Sequence, residues 1–408
     1  MFPVKIMSPI FCALFILIII LVHIPSSDAE YCVPSQCLSP GCSCPSTQPI
    51  MMDSTQIPQL VMLTFDDGVN RLNYATYQQV LGRVHTETRC PAKATFFVSH
   101  EFTDYSLVHE LWRRGNEIGV HSISHDRDIN RWSSAPVGYW RAEMGGMKRL
   151  LSHFAKIPLN DIKGIRVPFL QSSGDNTWLA MRDENFLYDS SVPVRNYMNP
   201  PLYPYSLDYG MVDDCQIEPC PVNRHPGLWE VSMVPYTLSN QDHQGRPWET
   251  ICAMVDACVP NPNTTELTYK FLIDNFRRHY YSNRAPFPIF MHEFWLLDEY
   301  RKAGFYQFLD YILSLNDVFM VTITDILDFM RNPENIDDYK RRMNKRCIRE
   351  PAQTACSQPG GTMNCEYTDD PRFKGYPRIM KICGDICPAK YPWVNNPIGE
   401  NIKVVSHT

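Results

Sequence analysis

The chain has 408 residues, 20% of them charged, a formal net charge of -6 at pH 7, and 15 cysteines. So mild an acidic balance excludes the dense positive footprint of a nucleic-acid binder. So many cysteines argue against a reducing compartment.

In chain order, residues 1–29 read first as a secretory signal. Lys5 stands near the start, an apolar core follows from about Phe11 to Val22, and Ser27-Asp28-Ala29 supply small residues where a signal peptidase needs them. The mature chain then begins near Glu30. An uncleaved anchor is the rival reading, because the apolar stretch approaches the length of a membrane span. No later stretch resembles a membrane helix, so no stable membrane insertion is expected after signal removal. Setting Cys12 aside leaves an even cysteine count suited to disulfides, and Asn263-Thr264-Thr265 is a glycosylation sequon, meaningful only in an exported chain.

Residues 30–55 form a short arm rich in Pro, Ser and Cys (Cys32, Cys37, Cys42, Cys44), too small to bury a core without cross-links. From 56 to 332, strand-like runs recur: QLVMLTF, ATFFVS, EIGVHS, KGIRVPF, FLYDSS, GLWEVSMV, FPIFMH and VFMVTI. They are short, rich in β-branched and aromatic residues, and bounded by turn formers. Helical candidates lie between them. YSLVHELWRRG closes on basic residues and a Gly, and FYQFLDYILSL carries apolar residues at helical spacing. Repeated strand–helix units predict an α/β fold: a distorted (β/α) barrel of about seven or eight parallel strands, although periodicity does not decide closure. Residues 333–408 form a cysteine-rich extension; its basic run from Lys340 to Arg346 suits a solvated linker better than a binding patch. The barrel region and the extension each hold an odd number of cysteines, five apiece. If every thiol pairs, at least one bridge must leave the barrel.

Parallel barrels gather function at the C-terminal ends of their strands. Polar groups recur there. Asp66-Asp67 follow VMLTF, His121 and His125 follow EIGV, Arg166 follows KGI, and His292 follows FPIFM. On a helical turn the four-residue histidine spacing puts both rings on one side, and two His with one Asp leave a position open for water, as at a catalytic zinc site. Arg166 is a fixed charge suited to hold a carboxylate. Each feature alone also suits a bland role: a turn or cap for the aspartates, packing or hydrogen bonding for the histidines, an ion pair for Arg166. Their coincidence at successive strand ends favours one shared metal site.

T-F-D-D-G (Thr64 to Gly68), H-S-x-x-H (His121 to His125), R-x-P-F (Arg166 to Phe169) and the late His292 together resemble the motifs of the polysaccharide deacetylases, carbohydrate esterase family 4. CPAKATFFVSHEF, RRGNEIGVHS, DIKGIRVPFLQ and NRAPFPIFMH resemble secreted animal chitin deacetylases in particular. The resemblance implies a secreted N-deacetylase acting on chitin with Zn2+, or another divalent transition metal, held by Asp67, His121 and His125. It implies Asp66 as general base, Arg166 as its holder, His292 as general acid, and a backbone N–H near Phe169 at the oxyanion. The runner-up function is a carbohydrate-binding or matrix-organising protein with little turnover on the same fold. A glycosidase would need two carboxylates set apart across the scissile bond, which adjacent aspartates do not supply.

This chain departs from the family pattern in places. Asp126 follows His125 where Pro is common, either modulating the site or capping a helix. Gly227-Leu228-Trp229-Glu230 replaces a commoner Asp-then-Trp arrangement. Trp229 is expected either as a sugar-facing wall or as plain barrel packing, and Glu230 is the nearest candidate in sequence to tune His292. Glu293 follows His292 where Asp is frequent.

Overall fold

In a computed structural model of the chain, the described residues are 32–401, apart from Met52, 212–213, 242–243, 348–352 and Lys374. The expected signal segment lies outside them. Strand β1, Gln59–Asp66, is buried along its whole length, as a parallel strand covered on both faces must be. Its alternation sorts side chains into two compartments: Val61, Leu63 and Phe65 join one apolar cluster, while Leu60 and Met62 join the other.

The remaining strands are β2 (Thr95–Val98), β3 (Glu117–Val120), β4 (Gly164–Ile165), β5 (Tyr188–Asp189), β6 (Tyr205–Ser206), β7 (Trp229–Glu230), β8 (Tyr236–Gln241), β9 (Pro247–Cys252), β10 (Phe287–Met291), β11 (Val318–Val321), β12 (Thr362–Tyr367) and β13 (Arg378–Cys383). The main sheet runs β10-β1-β2-β3-β4-β5-β7-β6. Residues Gln59–Met62 of β1 pair with β11, while Thr64–Asp66 pair with β2 on the same side. Among the described residues eight strands of this sheet are parallel and β6 alone runs antiparallel. The sheet is curled. Arg166, just past β4, reaches Asp66 at the end of β1 and lies between Phe97 of β2 and Phe290 of β10, so distant strands face one lumen. The expected barrel is therefore present but not hydrogen-bonded shut, since the ladder ends at β10 and β6.

Helices cover the outside. Arg71–Leu81 follows β1, Tyr105–Arg113 follows β2, and Glu299–Ser314 joins β10 to β11. Asn70, Asp104 and Asp298 cap their N-termini with side-chain oxygens. Helix Ile323–Arg331 turns its apolar face, Ile323, Ile326 and Leu327, into the inner cluster.

Both cysteine-rich ends brace the sheet. The arm, closed by Cys32–Cys44 and Cys37–Cys42, covers the β6 edge: Ser206 N donates to Ser43 O at 2.9 Å and Tyr203 N to Ser46 O at 3.0 Å. The Lys340–Arg346 run corrects the expected linker. It belongs to a helix, Ile336–Arg346, whose Tyr339 and Met343 are buried in the inner cluster, while Lys340 pairs with Glu87 and Arg342 with Glu334. Arg341 and Lys345 take the solvent-exposed face, and the sparse apolar residues do the docking. The bridge required by cysteine parity is Cys90–Cys347, spanning 257 positions. Beyond it, the β12–β13 hairpin, cross-linked through Cys356–Cys383 and Cys365–Cys387, packs Cys365, Met380 and Ile382 onto the outer cluster.

Candidate active site

Strand β1 ends at Asp66, and the chain changes direction within one residue. Asp67 has φ 80°, and at Gly68 a Cβ would stand 2.8 Å from the Glu101 carbonyl oxygen. The left-handed turn throws the second carboxylate out of the strand, so the two do not share a direction. Asp66 is 4% exposed, whereas half of the Asp67 side chain faces solvent.

Arg166 holds Asp66. Its Nη1 donates to Asp66 Oδ1 at 2.9 Å and to Thr64 Oγ1 at 2.8 Å, and Nε and Nη2 donate to the carbonyl and hydroxyl of Ser190. Burial by itself would raise the Asp66 pKa. The opposing charge of Arg166, with smaller contributions from His121 and His292, outweighs it and keeps the group below the usual carboxylate range.

His121 and His125 do not lie on a helical turn, contrary to expectation. They sit in a loop with Ser122 at φ 76° and His125 at φ 42°. Its shape comes from Glu143, whose buried carboxylate accepts from Ile123 N at 3.0 Å, Ser124 N at 2.9 Å and Ser124 Oγ at 2.6 Å. Loop amides satisfied by a remote carboxylate need no helix to bring two rings together. The two Nε2 atoms stand 3.2 Å apart, and Asp67 Oδ1 lies 3.6 Å from that of His125 and 3.9 Å from that of His121. His121 Nδ1 contacts the Arg166 carbonyl at 2.7 Å, an arrangement that leaves the Nε2 lone pair facing its neighbours. Burial and the adjacent His121 push the His125 pKa down to about 4, favouring the neutral ring.

These residues fit a metal. One ligand atom from each of Asp67, His121 and His125 lies within 4.8 Å of the others. A tetrahedral zinc with bonds of about 2.0–2.1 Å places ligand atoms about 3.3 Å apart, close to the spacing of the two nitrogens. The other candidate groups, Cys32/Cys37/Cys44 and His109/Cys356/Cys383, consist largely of disulfide cysteines, which have no thiolate to offer.

Across from this cluster, His292 Nε2 stands 3.9 Å from Asp67 Oδ2, and its Nδ1 lies 2.7 Å from Asp256 Oδ2. Burial alone would lower the pKa of this ring; the bond to Asp256 and the charges of Asp66 and Asp67 lift it to about 9. Asp256 rides on a short turn, Val255–Ala257, inside the loop closed by Cys252–Cys258. All these groups line or adjoin a cleft of about 440 Å³ whose walls include Phe102, Glu101 and Phe294. Phe169, 42% exposed at φ 55°, adds an aromatic edge 4.9 Å from the His125 ring.

Residues 53–183 match the family model for polysaccharide deacetylase. Over 377 residues the chain is 41% identical to Chitin deacetylase 8 of Bombyx mori, covering 91% of this chain and 94% of that protein. The chain belongs to the polysaccharide deacetylase family. It is also 34% identical over 385 residues to Chitin deacetylase 1 of Bombyx mori, covering 91% of this chain and 69% of that one.

In this polysaccharide deacetylase the motif residues Asp66, Asp67, His121, His125, Arg166, Phe169 and His292 converge on one end of the sheet; of the two readings of Trp229 its burial fits barrel packing, and the expectation for Glu230 is corrected. Trp229 is 2% exposed inside the barrel, with the Arg331 guanidinium 5.2 Å from its ring. A ring enclosed in this way cannot face a sugar. Glu230 does not tune His292, because it is fully buried on β7, in register with Asp189 of β5, while Asp256 Oδ2 holds the His292 Nδ1 contact. Asp256 takes that place. Asp126 turns to Arg131 and accepts from Asp128 N at 3.0 Å, so it shapes its own loop. Glu293 accepts from Thr76 Oγ1. The position of Asp256 between two cysteines six apart was a signal available in the sequence; for Glu143 there was none.

Proposed function

We propose that this polysaccharide deacetylase is a secreted, divalent-metal-dependent N-deacetylase of chitin, removing acetyl groups from N-acetylglucosamine units. Zinc is the first choice for Asp67, His121 and His125, a carboxylate and two imidazoles being the donor set of an open zinc site. Lewis-acid polarisation of the acetamide carbonyl and a more acidic water are the chemistry that zinc supplies in such a site.

The chain's own residues supply the proton transfers. Asp66, kept ionised by Arg166, takes a proton from the water that attacks the carbonyl carbon. Charge gathers on the carbonyl oxygen, and a backbone N–H near Phe169 stabilises it. His292, held by Asp256 in its protonated form, gives a proton to the amide nitrogen as the C–N bond breaks. The products are acetate and a free amine on the sugar. Phe102, Phe169 and Phe294 offer apolar surfaces to sugar rings, whose C–H faces pack on aromatics.

One observation carries this reading: three ligand atoms converge beside an ionised aspartate, with an Asp-bound histidine opposite. An oxidising extracellular setting is supported by the pairing of every described cysteine, in seven disulfides. No helix among the described residues is long and apolar enough to cross a membrane. The test is metal analysis of the purified protein alongside acetate release from acetylated glucosamine oligomers. Stoichiometric zinc with acetate release is the expected result, and acetate release undiminished after complete chelation would overturn it.

A further inference from the structure

The β12–β13 hairpin has two unlike faces. Cys365, Met380 and Ile382 are buried against the barrel. The paired positions Asn364 with Lys381 and Glu366 with Ile379 occupy the opposite face, where Ile379 is 60% exposed. That face forms one wall of a groove of about 760 Å³. The other wall is the barrel rim, with Leu72 at 90% and Phe102 at 67% exposure.

The groove is not a gap between loose parts. Arg378 of β13 ion-pairs with Glu101 at 3.0 Å, and Asp104 forms a parallel bridge with Lys381. The groove is continuous with the catalytic cleft, because Asn70 and Phe102 line both. An exposed leucine, phenylalanine and isoleucine set among Asn, Glu and Lys is the pairing of flat apolar faces with hydrogen-bonding groups that a sugar polymer requires.

We propose that this groove binds the sugars of the polymer that extend beyond the reacting unit, making the C-terminal hairpin part of the substrate site. The inference rests on the deacetylase reading above and adds to it. A linear polymer with one acetamide at the Asp67 and His292 centre must leave the cleft over some surface, and the shared Phe102 carries it from the cleft to Ile379 and Lys381. The hairpin then favours long chains and is indifferent to short ones.

The test compares direct binding of the acetylated glucosamine dimer and hexamer to the full-length wild type, Ile379→Ser and Lys381→Ala. Acetate release from the dimer is followed separately. Both changes lie on the outer face of the hairpin, so unchanged thermal melting is required as a control, and either variant alone suffices if the other misfolds. The expected result is hexamer binding weakened about tenfold in Ile379→Ser and severalfold in Lys381→Ala, with dimer binding and turnover unchanged. Hexamer binding equal to wild type in both variants overturns the proposal. Equal losses for dimer and hexamer also overturn it, because they indicate a structural role. Absence of acetate release from the wild type would count against the catalytic reading instead, since the binding comparison does not depend on turnover.

Discussion

Arg166 and Asp66 form an ion pair sealed in the lumen, Nη1 to Oδ1 at 2.9 Å, with the arginine wholly buried and its guanidinium carbon 4.4 Å and 4.5 Å from the rings of Phe97 and Phe290. A buried pair costs desolvation on both sides and is tolerated when the remaining donors are satisfied. Ser190 and Thr64 provide that here. The arrangement spends stability to fix a carboxylate in one place and one charge state.

Arg166→Met therefore leaves Asp66 buried and unpaired. The expected loss is about 3–5 kcal/mol of stability, measured by urea unfolding, together with acetate release. Adding Asp66→Asn should restore part of the stability and none of the activity. Wild-type stability in Arg166→Met would show that the pair matters little to folding.

Asp66→Asn alone keeps Asp67, His121 and His125 and removes the base. Zinc content should stay near one equivalent while acetate release from chitin oligomers falls by about a hundredfold or more. His121→Ala should lose metal and activity together. Full activity in Asp66→Asn would place the base elsewhere.

Much of this site was legible in the sequence, because the side chains that do chemistry sit at strand ends and strands announce themselves by apolar runs. What stayed hidden depends on contacts between distant segments. The strand alternation of GLWEVS does not say which face looks into the lumen, so the sequence leaves Trp229 open between wall and packing and offers Glu230 a role that its burial denies. The spacing of His121 and His125 suited a helix, yet Glu143, about twenty residues away, bends the loop into another shape that serves equally well. Asp256 reaches His292 across 36 positions, through a turn set by a disulfide.

Asp256→Asn tests that contact. Loss of the carboxylate removes the leading influence that raises the His292 pKa, so the pKa should fall from about 9. A general acid works only while protonated, so the alkaline limb of the rate profile should move to lower pH, with kcat down about a hundredfold. Zinc content should be unchanged. An unmoved alkaline limb would separate Asp256 from the acid.

Acid should loosen the hold on the C-terminal segment. His100 Nε2 contacts the Pro392 carbonyl at 3.0 Å and Nδ1 contacts the Tyr105 hydroxyl at 2.7 Å, a pair of bonds the neutral ring satisfies with one donor and one acceptor. Burial lowers its pKa to about 3, well below the unfolded value of about 6.5. The unfolded chain therefore takes up a proton first as pH falls. The stability from this ring is complete above about pH 6.5 and is lost as pH drops toward 3, by about 2 kcal/mol between pH 6.5 and 5. His100→Gln, which cannot titrate, should show a shallower decline over that window in urea unfolding. An equal slope in both proteins would remove His100 as a cause.

Glu143 is the prediction furthest from the chemistry. Its carboxylate takes two loop amides and a hydroxyl between His121 and His125, and it is itself buried, which raises its pKa despite those bonds. It touches none of the three ligand atoms. Glu143→Ala frees the amides of Ile123 and Ser124, so the loop loses the shape that sets the two imidazole nitrogens 3.2 Å apart. Metal affinity should fall about 10–100-fold, as when outer supports of a metal site are removed, read by competition with a chelator of known strength. Saturating zinc should then restore most of the acetate release, because Asp66 and His292 remain in place. Rescue of this kind separates a support of the ligands from a participant in the reaction, and failure of zinc to restore activity would show that the loop has duties beyond holding the ion.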